Sequence, residues 1–263
     1  SLNIVYSDAT KGWLPVSDDA VAFNHTPPPT QRAVFAYGNT STNAEVPIST
    51  KNLVNSSGVV AADVTGVGTV RDYLAAASYG TDKAIFGFGY NINIDQLGMT
   101  NLVNNEGVIG NDVAAVGTAR AWLAACGFGG DKAIFCYGGT ADSNLVNNQG
   151  VVASDVTAVG TNRSDSAGVT FGGDKGIFGF GKIGGGSILS ITNLVSNLGV
   201  VSADVTGVGT ARTKLAATSF GGDKAIFGYG NPGSPTAITN KVSNLGVVAS
   251  DTAGVGTARS YLS

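Results

Sequence analysis

Charge is scarce in this chain. Of its 263 residues only 13% are Asp, Glu, Lys or Arg, roughly half of ordinary usage. The balance is net −3 with a pI near 5.0, so the chain lacks the basic stripe that a nucleic-acid partner requires. It has one histidine, His25, in the irregular segment "FNHTPPPTQ", and two cysteines, Cys126 and Cys136. One imidazole and two thiols do not complete a tetrahedral zinc site, and His25 reads as a loop residue. No apolar run approaches the roughly 20 residues that span a bilayer as a helix. No Ser-His-Asp set has suggestive surroundings, and no glycine-rich phosphate loop leads into a helix. The expectation is a non-enzyme with no cofactor and no metal. With Ser1 first and no signal-peptide pattern, the chain reads as a mature product or an excised fragment.

What the chain does have is glycine, at 39 residues, and 43% apolar content, enough to exclude charge-driven disorder. It also repeats itself. "GTDKAIFGFG", "GGDKAIFCYG", "GGDKGIFGFG" and "GGDKAIFGYG" end at Gly89, Gly138, Gly181 and Gly230, and a worn copy, "TQRAVFAYG", ends at Gly38. A second phrase, of the type "TNLVSNLGVV", follows each. From its Asn (Asn52, Asn101, Asn144, Asn193) to the next such glycine (Gly89, Gly138, Gly181, Gly230) the distance is 37 residues every time. The return distance varies, at 14, 12, 6, 12 and 10 residues. Each unit is therefore a rigid body with one loop free to change, at a period that belongs to arrays and propellers.

"KAIFGYG", "NLVSN" and "GVVASDV" read as strands, the last two joined by a tight turn. "RDYLAAASY" and its relatives are alanine-rich and compatible with a short helix. The matching stretch 163–171, "RSDSAGVTF", is a poor helix former, and one repeat should have one structure, so a fourth strand is preferred. "LNIVYSDAT" at the start lines up with "LGVVASDTA" near the end, leaving a surplus strand in 245–263. The organisation predicted is a single all-β domain over 1–263. Cys126 and Cys136 lie in one predicted hairpin. They are either a disulfide or two buried free thiols, and the small residues in the other copies favour the thiols.

The sequence "TARTKLAATSFGGDKAIFGYG", a loop and then "TNLVSNLGVV" resembles the kelch repeat over nearly the whole chain. The resemblance implies a five-bladed β-propeller with four-stranded antiparallel blades. The chain departs from kelch in two ways: its glycine doublet is Gly-aromatic-Gly, and Val replaces the usual aromatic of the fourth strand. "GFGYNINIDQLG" resembles a repeat of the RCC1 type, also a propeller, in one copy. Strings of the "GDKAIFGYG" kind are similar to repeats in tailed-bacteriophage and other virion proteins. Copper-radical chemistry, known in a kelch-type enzyme, needs several His and Tyr ligands that are lacking here.

Two groups of residues are candidates. An Asp recurs at Asp63, Asp112, Asp155, Asp204 and Asp251, with an Arg eight residues later at Arg71, Arg120, Arg163, Arg212 and Arg259. Residues common to all copies serve what all copies share. These pairs therefore read as structural, the Arg pairing with its Asp or with an adjacent blade, and the Lys of each "DK" turn reads as solvated. Individuality lies in the variable loops, which in a propeller emerge on one face, and loops carry function on rigid scaffolds. Tyr90, Asn91, Asn93, Asp95, Gln96 and Met99 form the richest polar-aromatic set. The function expected is a binding or structural module, extracellular or on a virion. Its partners would be another protein, a surface glycan or a homo-oligomer in virion assembly, with no nucleic acid and no membrane insertion. The rival is a lectin with one weak carbohydrate site per blade, bound through multivalency; a hydrolase is a distant third.

Overall fold

The computed structural model describes residues 3–8, 12–17, 33–40, 46–157 and 159–262; His25 lies outside them. Contacts divide the chain into Ser1–Gln31 and Arg32–Ser263. In the first part Asn3–Asp8 pairs antiparallel with Gly12–Ser17. The second part holds five copies of one antiparallel ladder, numbered here by the glycine that closes each: Gly38, Gly89, Gly138, Gly181 and Gly230. The described residues are all-β.

The alanine-rich segments are strands. Ala75–Tyr79, Ala124–Phe128, Ala167–Phe171 and Ala216–Phe220 are the first strands of units two to five. Each forms a hairpin with a second strand, at Lys83–Gly87, Lys132–Cys136, Lys175–Gly179 and Lys224–Gly228; unit one has its second strand at Ala33–Ala36. Three residues connect the paired strand ends, as 129–131 do between Phe128 and Lys132, and the reversal has positive φ at the first two. Gly129 and Gly130 (φ 61° and 78°) supply it, as do Gly172 with Gly173 and Gly221 with Gly222. In unit two Gly80 is followed by Thr81 at φ 70°.

The third strands, Lys51–Val54, Thr100–Val103, Asp142–Val146, Thr192–Val195 and Thr239–Val242, complete the ladders. The expected fourth strand is reduced. It survives as separated bridges such as Val103↔Ile109 and Thr100↔Val113, and forms a two-residue strand, Val156–Thr157, only in unit three. A side chain interrupts it. Nδ2 of Asn101 donates to the Gly110 carbonyl at 3.0 Å, and Asn52, Asn144, Asn193 and Asn240 do the same nine residues on. That carbonyl is therefore occupied by a side-chain amide.

Successive units pack face to face, first strand beside first strand, and the core lies between them. In units one to four the aromatic before the closing glycine meets the second-strand Phe of the next unit edge to face. The pairs are Tyr37–Phe86, Phe88–Phe135, Tyr137–Phe178 and Phe180–Phe227, with centroids 5.2–5.7 Å apart. Such pairs are worth about 0.5–1.5 kcal/mol beyond area burial. The glycine of the preceding strand makes room: a Cβ on Gly87 would lie 2.7 Å from the Phe135 ring, and one on Gly179 2.8 Å from Phe227. Cys126 stands opposite Ile134 and Cys136 opposite Ala124, so the two do not face one another. Both are buried free thiols whose pKa values burial raises.

Candidate functional site

The recurring arginines are the joints between units. Arg71 is fully buried and its guanidinium lies 4.2 Å over the Tyr37 ring of unit one. It donates to Oδ1 of Asn101 in unit two at 2.6 Å and stands 3.9 Å from Asp112. Arg120 repeats this with Phe88, Asn144 and Asp155, and Arg163 with Tyr137, Asn193 and Asp204. The fourth joint is altered. Arg212 stacks on Phe180, but its Nε donates to the Tyr229 carbonyl at 2.8 Å, and its Nη2 and Oδ1 of Asn240 lack partners.

Arg71, Arg120 and Arg163 thus meet the Asp of the following unit, not the Asp eight residues before them. A threonine completes the clamp. The backbone N–H and hydroxyl of Thr69 both donate to Asp112, and Thr118, Thr161 and Thr210 do the same to Asp155, Asp204 and Asp251. The glycine before each threonine is obligatory. Gly68 has φ 84°, and a Cβ there would sit 2.3 Å from the Asp112 carboxylate. Burial raises the pKa of these four carboxyls, but the hydrogen bonds from Thr and Asn outweigh it and hold each below the usual range. Burial also lowers Arg212 to about 10, against the raising effect of Asp251. The "DK" turns are local ion pairs, Lys132 reaching Asp131 at 2.7 Å and Lys83 reaching Asp82 at 3.3 Å.

The loop set divides. Tyr90–Asn91 and Asp95–Gln96 form a small hairpin. Asn91 is buried: its Nδ2 donates to the Val70 carbonyl at 2.7 Å and its Oδ1 accepts from the Asn93 N–H. Asp95 accepts from the Gln96 N–H, and both are exposed. The Met99 carbonyl accepts the Phe88 N–H. These are loop-stabilising bonds, and only Tyr90 turns to a surface shared with other units: its ring stacks on Trp122 at 5.9 Å.

That surface runs along the residue two places after each arginine: Tyr73, Trp122, Asp165, Lys214 and Tyr261. Their backbones form a continuous chain, each N–H donating to the carbonyl of the preceding member at 2.9–3.1 Å. All five sit in the left-handed region, with φ between 50° and 59°, a conformation that costs a non-glycine residue of order 1–3 kcal/mol and concentrates at functional sites. Tyr73 and Trp122 lie 5.0 Å apart, Asp165 pairs with Lys182 at 2.9 Å, and the Lys214 ammonium sits 4.1 Å over the Tyr261 ring. With the first strands below them they line a groove of about 620 Å³, a size suited to a small ligand or a short chain segment.

Sequence reasoning passed over this line. The signal was present, because the residue two places after each invariant Arg runs from aromatic (Tyr73, Trp122, Tyr261) to acidic (Asp165) to basic (Lys214). Among the described residues, no three His, Cys, Asp or Glu side chains converge as metal ligands. Compared with known proteins, the chain matches no family model and no curated sequence.

Proposed function

We propose that this chain is a non-enzymatic binding module of the propeller type, in which five kelch-like blades stand around the line Tyr73–Tyr261 and the groove along it holds the ligand. One observation carries this reading. Units otherwise closely similar present four different side chains at one position, Tyr, Trp, Asp and Lys with Tyr used twice, all held in a costly backbone conformation. An extracellular or virion setting agrees with the low charge and with the similarity of the repeat phrases to virion proteins. Within this reading the variable loops frame the groove, as Tyr90 does against Trp122.

A carbohydrate is the second reading, and the stacked rings of Tyr73, Trp122 and Tyr90 favour it, since aromatic faces supply apolar area beside polar groups. The spaces between units are filled by buried arginine joints, which favours one shared site over one site per blade. Trp122 is one of two tryptophans, so its fluorescence reports on the groove. Titration with a panel of oligosaccharides and candidate surface proteins should give a saturable fluorescence change, and calorimetry should show binding that Trp122→Ala abolishes while the urea midpoint stays put. Binding that survives Trp122→Ala and Lys214→Ala, and is lost on exchanging the loop 90–96, would move the site to the loops.

A further inference from the structure

The joint between units is built from two halves, and the chain carries one of each unused. The donor half is a Gly-Thr-x-Arg stretch stacked on a Gly-aromatic-Gly phrase. The acceptor half is an Asn already bonded to an Asp eleven residues on. Four donor halves meet four acceptor halves, at Arg71, Arg120, Arg163 and Arg212. Arg259 is the fifth donor. It lies 4.4 Å over the Tyr229 ring, its carbonyl accepts the Gly230 N–H as in every other joint, yet its side chain is exposed. Asn52 and Asp63 are the fifth acceptor, preformed by a 2.8 Å bond between them, with Asp63 exposed.

The rest of the interface is split in the same way. Phe86, Phe135, Phe178 and Phe227 are at most 7% exposed, whereas Phe35, their counterpart in unit one, is 55% exposed. The notch for such a ring is open in unit five: a Cβ on Gly228 would meet only the Thr239 methyl at 3.6 Å. Tyr79, Phe128 and Phe171 press on the turn glycines Gly150, Gly199 and Gly246 of the following unit. Phe220, next in that series, is 38% exposed, and around Gly58, next in the glycine series, there is nothing within 4 Å. Gly256, unlike Gly68, Gly117, Gly160 and Gly209, presses on no carboxylate. No described hydrogen bond or ion pair joins Arg259 to Asn52 or Asp63 of its own chain.

The geometry points to a second copy of this chain as the occupant: the unit-five face of one copy takes the unit-one face of the next, Phe35 entering the Gly228 notch and Arg259 gripping Asn52 and Asp63. The argument is continuity with an interface the chain already forms four times. The contact is head to tail, using different patches on the two copies, so it propagates unless the rotation closes. Lys241 stands where Leu53, Leu102, Leu145 and Leu194 stand in the other units, which makes the free joint more polar than the internal ones and its association reversible.

Sedimentation velocity over a rising concentration series tests this. The wild type should shift from monomer to dimer and larger species. Phe35→Asp spoils only the acceptor face and Arg259→Ala only the donor face, so each alone should stay monomeric. Their equimolar mixture should form dimers and nothing larger. Both sites are exposed, and circular dichroism with a urea midpoint checks each fold; Asp63→Lys is the second acceptor variant should Phe35→Asp misfold. A wild type that remains monomeric at every concentration overturns the proposal. Association that persists in both single variants overturns it equally, by placing the contact elsewhere. Phe35 also lines the groove, so ligand binding is followed through Trp122 in Arg259→Ala and Asp63→Lys, whose side chains do not line it; association lost there with ligand binding kept separates the two readings.

Discussion

Arg120 and Trp122 are two residues apart and have opposite fates. The arginine is the same in every unit, fully buried, and spends its guanidinium on an aromatic face, an amide and a carboxylate. The tryptophan is half-buried, faces the groove, and has a different residue in its place in each other unit but the first and last of the line, which share tyrosine. Repetition preserved what joins one unit to the next and released what meets the outside. A side chain identical in all copies therefore argues for a joint. Function is sought where one position changes class while its backbone does not.

The sharpest way to break this contrast is to remove one buried guanidinium. Arg120→Ala strands the Asn144 carbonyl oxygen and leaves Asp155 without its cation. Asp155 is partly exposed and keeps its bonds from Thr118 and Asn144, so the main loss is the buried Asn144 amide oxygen left unbonded, about 1–3 kcal/mol, and the urea midpoint should fall. Arg259→Ala, which removes the same side chain from an exposed site, should leave the midpoint of the monomer unchanged. Equal losses at the two positions would mean that the arginines act within their own units and not between them.

The contrast also predicts a pH dependence. Asp112, Asp155, Asp204 and Asp251 have pKa values below the usual range in the folded chain. A depressed carboxyl contributes stability that is present above its unfolded pKa, about 3.9, and is lost as pH falls through the folded value. Thermal midpoints should therefore be flat near neutrality and drop below about pH 4. Asp155→Asn should flatten that acid limb. Asp131→Asn, at an exposed turn whose carboxyl is lowered chiefly by its hydrogen bond from Lys132, should change it less. An acid limb steeper at the turn than at the joint would reverse the assignment of these two sets.

Much of the fold was legible because it rests on local rules that recur. The tight hairpin turns advertise themselves as Gly-Gly or Gly-Thr before Asp-Lys, and the poor helix propensity of 163–171 marked the alanine segments as strands, which they are. The fourth strand was overestimated because a Val-rich run reads as a ladder while the Asn that takes its carbonyl lies nine residues away. The partner of Arg71 was illegible for a similar reason. The repeating Asp that precedes it, Asp63, is eight residues off, but packing brings Asp112 of the next unit to it. The groove was missed because attention went to loops of unequal length. Variation in its lining falls on one or two residues after an invariant Arg, and nothing in the chain announces that Tyr73 and Tyr261 share a surface.

The finest discrimination between joint and groove comes from backbone strain. Lys214 sits at φ 57°, where a side chain of L configuration costs about 1–2 kcal/mol against its neighbouring carbonyl. Glycine relieves that cost and gives back part of it as unfolded-state entropy, so Lys214→Gly should raise the urea midpoint slightly or leave it unmoved. The same change removes the ammonium from the Tyr261 ring and from the groove wall, so ligand affinity should fall while stability does not. A residue kept only for structure would show the two moving together. If Lys214→Gly both destabilises the fold and spares binding, the strained line is a scaffold feature and the unlike side chains upon it are incidental.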